Sequence, residues 1–330
     1  MWGNLRGWGI SAVIVLLTAG GIWYLSTLND VSPPTWDQAT QDKYLAKVEL
    51  SPAPRSVVQV MTNPCDAGDD YRAAITAYEA NKNTYGAKFD YKSTADFEAF
   101  DDILKGTDCS QMTLLAKDPA EYMGYQGAAI APLRALKTVV TAMTKRAAML
   151  VNGRKADEAK KYYQAIFSLG TKLWEERLVW DELDAGQELM ATGALGLARI
   201  AEEEKDTDRY ATLKAFDDAR SKYVTDVVMP LLHVTHNFSS DAPGNIFLLA
   251  RSSQDRMWRA EAIRQLGRIR WNVGNAETAS AADQRAATRL LTKWADDPTL
   301  DPVLRTTAQL ARDVSEIDLQ KEVTAGQQEQ

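Results

Sequence analysis

The sequence predicts an all-α protein: an N-terminal transmembrane helix followed by an α-helical, repeat-like body of the solenoid type that lies outside the cytoplasm. Three observations lead to this fold class. Apolar residues recur at spacings of three or four along most of the chain, no stretch alternates apolar and polar residues for long enough to require a sheet, and an uncharged run lies near the N-terminus. The composition, with 45% apolar and 25% charged residues, is that of a folded protein.

The first element is an apolar segment between Arg6 and Asp30. Residues 7–29 are 23 residues without a charge. A helix of that length, rising about 1.5 Å per residue, crosses a bilayer core of about 30 Å. The Arg before the segment and the Asp after it favour a cytoplasmic N-terminus and an extracytoplasmic body. We expect an uncleaved single-pass anchor over 1–28, with lipid contact through 7–29; a cleaved signal peptide is the alternative.

Residues 29–64 are predicted to form a linker that carries the body away from the membrane. They contain five of the eleven prolines. Prolines at this density prevent long helices. Only 37–50 leaves room for one short helix.

Residues 65–125 are predicted to form a subdomain with short helices over 69–82 and 94–105. It contains the two cysteines of the chain, Cys65 and Cys109. In an oxidising compartment these can form a disulfide; two unrelated buried thiols are the alternative. Their spacing excludes a CxxC redox motif.

Residues 126–323 are predicted to form the main helical domain. A long helix over 130–150 ends at Asn152-Gly153, because glycine favours a helix C-terminus. Glycines and alanines within 189–200 indicate close approach of two helices. The further helices are 159–173, 208–227 with Pro230 as its stop, 252–273, 278–296 and 301–316; residues 237–244 are a predicted loop, and 324–330 a disordered tail.

Residues 152–165 resemble the junction of a tetratricopeptide repeat. In such repeats a Gly, here Gly153, ends one helix, and an acidic residue followed by Ala, here Glu158-Ala159, opens the next. The resemblance covers about 15 residues, and no second copy follows 34 residues later.

The C-terminal part resembles HEAT repeats. Residues 259–267 have an Arg-x-x-Ala start and a Leu-Gly pair, and Asp301-Pro302 precedes a second Arg-x-x-Ala at 305–308. Arg259 and Arg305 are 46 residues apart, close to the HEAT period. The resemblance implies stacked helix pairs that bind other proteins.

Few side chains are available for catalysis. The chain has two histidines, no Gly-x-Ser-x-Gly elbow, no P-loop and no dinucleotide fingerprint. His233 and His236 are spaced for one helix face and could bind a metal if Asp226 or Asp241 supplied a further ligand. The carboxylates at 175–176 and 202–204 are expected to face solvent. We therefore expect a non-catalytic protein without a cofactor; a metal-dependent enzyme or metal-binding protein using the two histidines is the alternative.

One cluster of basic and aromatic residues is a candidate surface for a protein partner. It contains Trp258, Arg259, Arg264, Arg268 and Trp271. Arg and Trp are frequent in interface hot spots; a helix with buried tryptophans and solvated arginines is the alternative. The net charge of −7 argues against nucleic acid. We expect a membrane-anchored, extracytoplasmic scaffold or protein-interaction module, with a structural subunit of a membrane complex as a further alternative.

Overall fold

The computed structural model describes residues 31–83, 98–115, 130–236, 242–274 and 279–328. Within these ranges the chain is mostly helical, which confirms the predicted all-α class. No helix in these ranges is both long and apolar enough to cross a bilayer. The predicted membrane segment 7–29 lies outside the described residues.

Short elements make up the first part of the described chain. They are α1 (Gln38–Leu45), α2 (Pro54–Val58), β1 (Asn63–Asp66), α3 (Gly68–Asn81), α4 (Glu98–Lys105), a 3-10 turn (Gly106–Asp108) and β2 (Cys109–Gln111). The strands β1 and β2 pair in parallel. The sequence did not predict them, because strands of four and three residues are too short to show alternation.

Longer helices form the rest. They are α5 (Ile130–Asn152), α6 (Ala156–Glu176), α7 (Trp180–Glu204), α8 (Thr207–Tyr223), α9 (Met229–His236), α10 (Ala242–Ser252), α11 (Arg256–Trp271), α12 (Ala281–Ala295), α13 (Pro302–Asp313) and α14 (Glu316–Gln328). From α5 to α8 and from α10 to α13, each helix packs on the next one along the chain. Side chains from most of these helices share one apolar core.

Helices α6 and α7 approach each other closely through glycines, as the sequence predicted. A Cβ atom on Gly170 would lie 2.6 Å from the backbone nitrogen of Met190, and one on Gly193 would lie 2.6 Å from Cβ of Phe167. These distances are too short for any side chain. The glycines therefore set the spacing of the two helices.

Pro230 does not end the helical path. Between α8 and α9 the backbone widens into a π-helical segment, Val224–Val228, and helix α9 starts directly after it. Proline has no N–H to bond the carbonyl four residues earlier. That carbonyl belongs to Asp226, and it accepts a hydrogen bond of 2.7 Å from Nζ of Lys43. A side chain from α1 thus replaces the missing backbone donor.

Two further boundaries differ from the prediction. Helix α10 occupies part of the predicted loop, with Pro243 in its first turn, where proline is tolerated. Helix α14 continues to Gln328, so the predicted disordered tail is helical up to that residue.

The stretch predicted as a linker lies along the body. The backbone N–H of Val48 donates to the carboxylate of Asp255, and the carbonyl of Val48 accepts from Arg177. Val57 and Val58 of α2 are buried in the shared core. Over residues 31–64 the chain is therefore packed on the helices and does not form a free spacer.

Candidate functional site at a buried polar junction

The predicted partner surface on α11 is largely internal. Trp258 is 0% exposed, and its ring lies 6.2 Å from that of Trp180 between centroids. Helix α11 packs against α10, α12 and α13 and also touches α9, so its apolar side chains have no free face. The prediction that Trp258 contacts a partner is wrong, because the ring is enclosed by the protein's own core.

The arginines of the cluster are half-buried and bonded within the chain. Nε of Arg259 donates to the carbonyl of Ala250 at 3.1 Å, and burial lowers the pKa of this guanidinium. Nη1 of Arg264 donates to both carboxylate oxygens of Glu261, at 2.9 and 3.1 Å. Arg268 is half-buried on the same helix. The Arg259 bond joins α11 to α10, whereas the Arg264 pair lies within α11 itself.

Trp271 ends α11 in a contact with the C-terminal helices. Its Nε1–H donates to the carbonyl of Val314 at 3.0 Å. The guanidinium of Arg270 lies 4.6 Å from the centre of the indole ring and donates to the carbonyl of Arg312. The ring therefore joins α11 to the segment between α13 and α14.

The two histidines have different surroundings. His233 is exposed. His236 lies with Nε2 3.8 Å from a carboxylate oxygen of Glu261, and its pKa is lowered, first by burial, against the opposing effect of Glu261. Asp226 pairs with Lys222, and Asp241 lies outside the described residues. Among the residues that the structure describes, no three His, Cys, Asp or Glu side chains are grouped as metal ligands.

The disulfide predicted from the sequence is present. Cys65 at β1 and Cys109 at β2 are joined by an S–S bond of 2.08 Å. The 3-10 turn immediately before Cys109 faces helix α6. The disulfide therefore ties together the two strands and the turn that packs on the main helical domain.

A buried lysine lies under this turn. Lys172 on α6 is 1% exposed, and its Nζ donates to the carbonyls of Gly106 and Thr107 at 2.8 and 3.2 Å and to the hydroxyl of Ser168. Burial, reinforced by the charge of Arg55, lowers the pKa of Lys172 to about 7. A serine beside a lysine of lowered pKa has the chemistry of a nucleophile and its base. Here Ser168 is itself 0% exposed, so a substrate cannot reach it.

A buried ion pair lies at the end of α6. Nε and Nη2 of Arg177 donate to one carboxylate oxygen of Asp255 at 3.2 and 2.7 Å. The other oxygen of Asp255 accepts from the backbone N–H groups of Met257 and Trp258 and caps α11. Side chains of the pair are 7% and 1% exposed. One carboxylate thus connects α6, α11 and the N-terminal segment.

Two carboxyl groups lie next to this pair. Glu176 accepts from the backbone N–H groups of Leu114 and Leu115, and Glu182 accepts from that of Leu178 at 2.6 Å. Burial, followed by the charge of Glu176, raises the pKa of Glu182. The prediction that Glu176 faces solvent is wrong, since it is 8% exposed. Glu175 lies outside and pairs with Arg55.

We call Lys172, Glu176, Arg177, Glu182 and Asp255 the polar junction. All five side chains are at least nine-tenths buried. They bond to the 3-10 turn, to the segment after β2, to the N-terminal segment and to the start of α11. These charged groups are enclosed by the fold, and their hydrogen bonds fit the positioning of these four parts of the chain.

Sequence reasoning missed the polar junction because charged residues near a helix end are usually solvated. One signal was available: Glu175-Glu176-Arg177 interrupts an apolar stretch, with Leu173-Trp174 before it and Leu178-Val179 after it. Charges within such a stretch are candidates for buried pairs. Comparison of the chain with protein-family models, with curated proteins and with solved structures gives no match.

Proposed function

We propose that this chain is a membrane-anchored, extracytoplasmic helical scaffold that binds other proteins and is not catalytic. The observation that carries the proposal is the Cys65–Cys109 disulfide, which lies in the body that follows the uncharged segment 7–29. Stable disulfides are typical of compartments outside the cytoplasm. The orientation that the flanking charges favour places the body in such a compartment.

The all-α body supports the scaffold part of the proposal. Consecutive helices pack on one another from α5 to α8 and from α10 to α13. Arrays of this kind are quasi-one-dimensional and present extended surfaces. We interpret the body as solenoid-type on this basis, with Asp301 and Pro302 forming the helix start that the HEAT resemblance implied.

Because Trp258 is buried, we propose that the partner-binding residues lie outside the basic and aromatic cluster on α11. Among the described residues, four large apolar side chains are exposed: Leu195, Tyr210, Met229 and Ile317. Exposed apolar side chains supply the contact area from which interfaces are built. We propose these four positions as the first candidates for partner contacts.

In-cell photo-crosslinking tests the proposal. A benzophenone amino acid would replace each of the four residues in turn, and Thr212, which is exposed and polar, would serve as the matched position. We expect at least one of the four to give a defined crosslinked protein that Thr212 does not give. Absence of such a product at all four positions, with the protein folded and in the membrane fraction, would refute the partner-binding role.

A further inference from the structure

The structure shows where the N-terminal segment, from Ser32 onward, attaches to the helical body. The backbone N–H and Oγ of Ser32 donate to the two carboxylate oxygens of Asp283, at 2.9 and 2.8 Å. Three residues later, the N–H of Thr35 donates to Oδ1 of Asn245 at 3.0 Å, and the Asn245 amide donates back to the Thr35 hydroxyl. The chain is therefore held from Ser32 onward at the starts of α10 and α12.

This attachment limits the distance between the body and the proposed anchor. From Asn29, the last residue of the uncharged segment, to Ser32 there are only three residue steps. At about 3.5 Å per residue they reach about 10 Å. A free linker over 29–64 would have reached on the order of 100 Å. An anchor at 7–29 therefore brings the starts of α10 and α12 to the membrane surface.

The exposed face of α12 has the charge that suits such a surface. Arg285, Arg289 and Lys293 are exposed and spaced by four residues. The one acidic residue of this helix, Asp283, is buried and is bonded to Ser32. Three basic side chains therefore lie on this face, in a chain whose net charge is −7. Anionic lipids attract basic residues within about a Debye length of the bilayer.

We propose that the end of the body at which α10 and α12 begin rests on the bilayer, where Arg285 and Arg289 bind anionic lipid headgroups. This inference rests on the membrane anchor of the proposed function. It assigns α12 a lipid surface as its partner.

Lipid-dependent quenching of a fluorophore tests the inference on the full-length protein. Both native cysteines are in the disulfide, so one introduced cysteine is the single labelling site. We would label Thr288→Cys on α12 and, as the matched control, Thr212→Cys on α8. Both threonines are exposed, and each donates to the carbonyl one turn earlier at 2.9 Å. The vesicles would contain phosphatidylglycerol and a lipid with a nitroxide headgroup.

The expected result is strong quenching at position 288 and little at position 212. Equal quenching at both positions, or none at 288 in protein that floats with the vesicles, would overturn the inference while leaving the anchor intact. Protein that does not float with the vesicles would overturn the proposed anchor, and with it this inference. Flotation and quenching thus separate the two failures.

Charge reversal tests the headgroup contact itself. Arg285→Glu with Arg289→Glu should lower the ratio of docked to undocked body by at least about fivefold for each residue, the equivalent of ~1 kcal/mol each. Arg154→Glu with Lys161→Glu, two exposed basic residues at the α5–α6 end, should leave quenching at 288 unchanged. Equal effects of the two pairs, or quenching that does not change when phosphatidylcholine replaces phosphatidylglycerol, would overturn the role of the arginines.

Discussion

Replacing Asp255 by Ala should be among the most destabilising single changes in this chain. The Asp255 carboxylate accepts two hydrogen bonds from Arg177 and one from the backbone of Val48. Its other oxygen caps helix α11 through the N–H groups of Met257 and Trp258. The substitution removes all five contacts and leaves the guanidinium of Arg177 buried without its partner.

The magnitude follows from two effects. Loss of an Asp N-cap costs about 1 kcal/mol. Breaking a buried ion pair by removing one partner costs about 3–5 kcal/mol, because the remaining charge is desolvated and uncompensated. The pair is buried enough for this range, with side chains 7% and 1% exposed. We expect the free energy of unfolding to fall by about 4–6 kcal/mol.

The chain offers a matched control for the cap. Asp301 caps α13 through the N–H groups of the residues two and three positions later, at 2.9 and 3.3 Å, as Asp255 does at 3.1 and 3.3 Å. Asp301 is exposed. Asp301→Ala should therefore cost only the capping energy, about 1 kcal/mol.

The assay is guanidinium unfolding of the full-length protein in mild detergent, followed by circular dichroism, for the wild type and the two variants. Midpoints are comparable where the slopes agree. If Asp255→Ala cost no more than Asp301→Ala, the buried pair would add nothing to stability. The reasoning on the polar junction would then be refuted.

Three further predictions concern the disulfide and two buried charged groups. Replacing Cys65 and Cys109 by Ser should lower the free energy of unfolding by about 4 kcal/mol, since the disulfide closes 44 residues; an unchanged unfolding midpoint would contradict this. Because the folded pKa of Lys172 is about 7 and its ordinary value is 10.5, the unfolded state binds the extra proton between these values, and stability should rise with pH there. Relative to Lys172→Met the rise should be about 1.4 kcal/mol per pH unit, and parallel pH profiles of the two proteins would refute it. The raised pKa of Glu182 gives the opposite pH dependence. Its contribution to the free energy of unfolding is fully present below the ordinary pKa of 4.5 and falls as pH rises toward the raised value. Glu182→Gln should remove this fall, whereas Glu202→Gln at an exposed position of α7 should retain it; an equal pH dependence of the two variants would contradict a raised pKa at Glu182.

Periodicity predicted the long helices well, because they are amphipathic and lie against one core. The predicted helix over 130–150 is Ile130–Asn152, and the predicted close contact of glycine-containing helices is the α6–α7 pair. Both features are local in sequence. A pattern of three and four residues, or a run of small residues, is enough to specify them.

The junction of the N-terminal segment with the body could not be predicted in the same way. Proline density favoured a spacer, but Ser32 bonds to Asp283, a residue 251 positions away. Pairings of this kind carry no local pattern. The same holds for Lys43, which compensates for the N–H that Pro230 lacks.

The residues of the candidate site could likewise be predicted only in part from the sequence. The predicted oxidising compartment allowed Cys65 and Cys109 to form a disulfide, and the structure contains it. Arginines and tryptophans on α11 suggested a surface, whereas Trp258 is 0% exposed. Composition indicates which residue types are present in a helix, but only the neighbours of that helix decide which of its faces remains free.

The most direct test of the proposed function is the location and thiol state of the protein in intact cells. Cells would be treated with a maleimide of high mass before and after reduction, and the membrane and soluble fractions would be separated at alkaline pH. The account predicts that the protein stays with the membranes and gains two mass tags only after reduction, one each at Cys65 and Cys109. Protein in the soluble fraction, or protein that gains both tags without reduction, would contradict an anchored scaffold outside the cytoplasm.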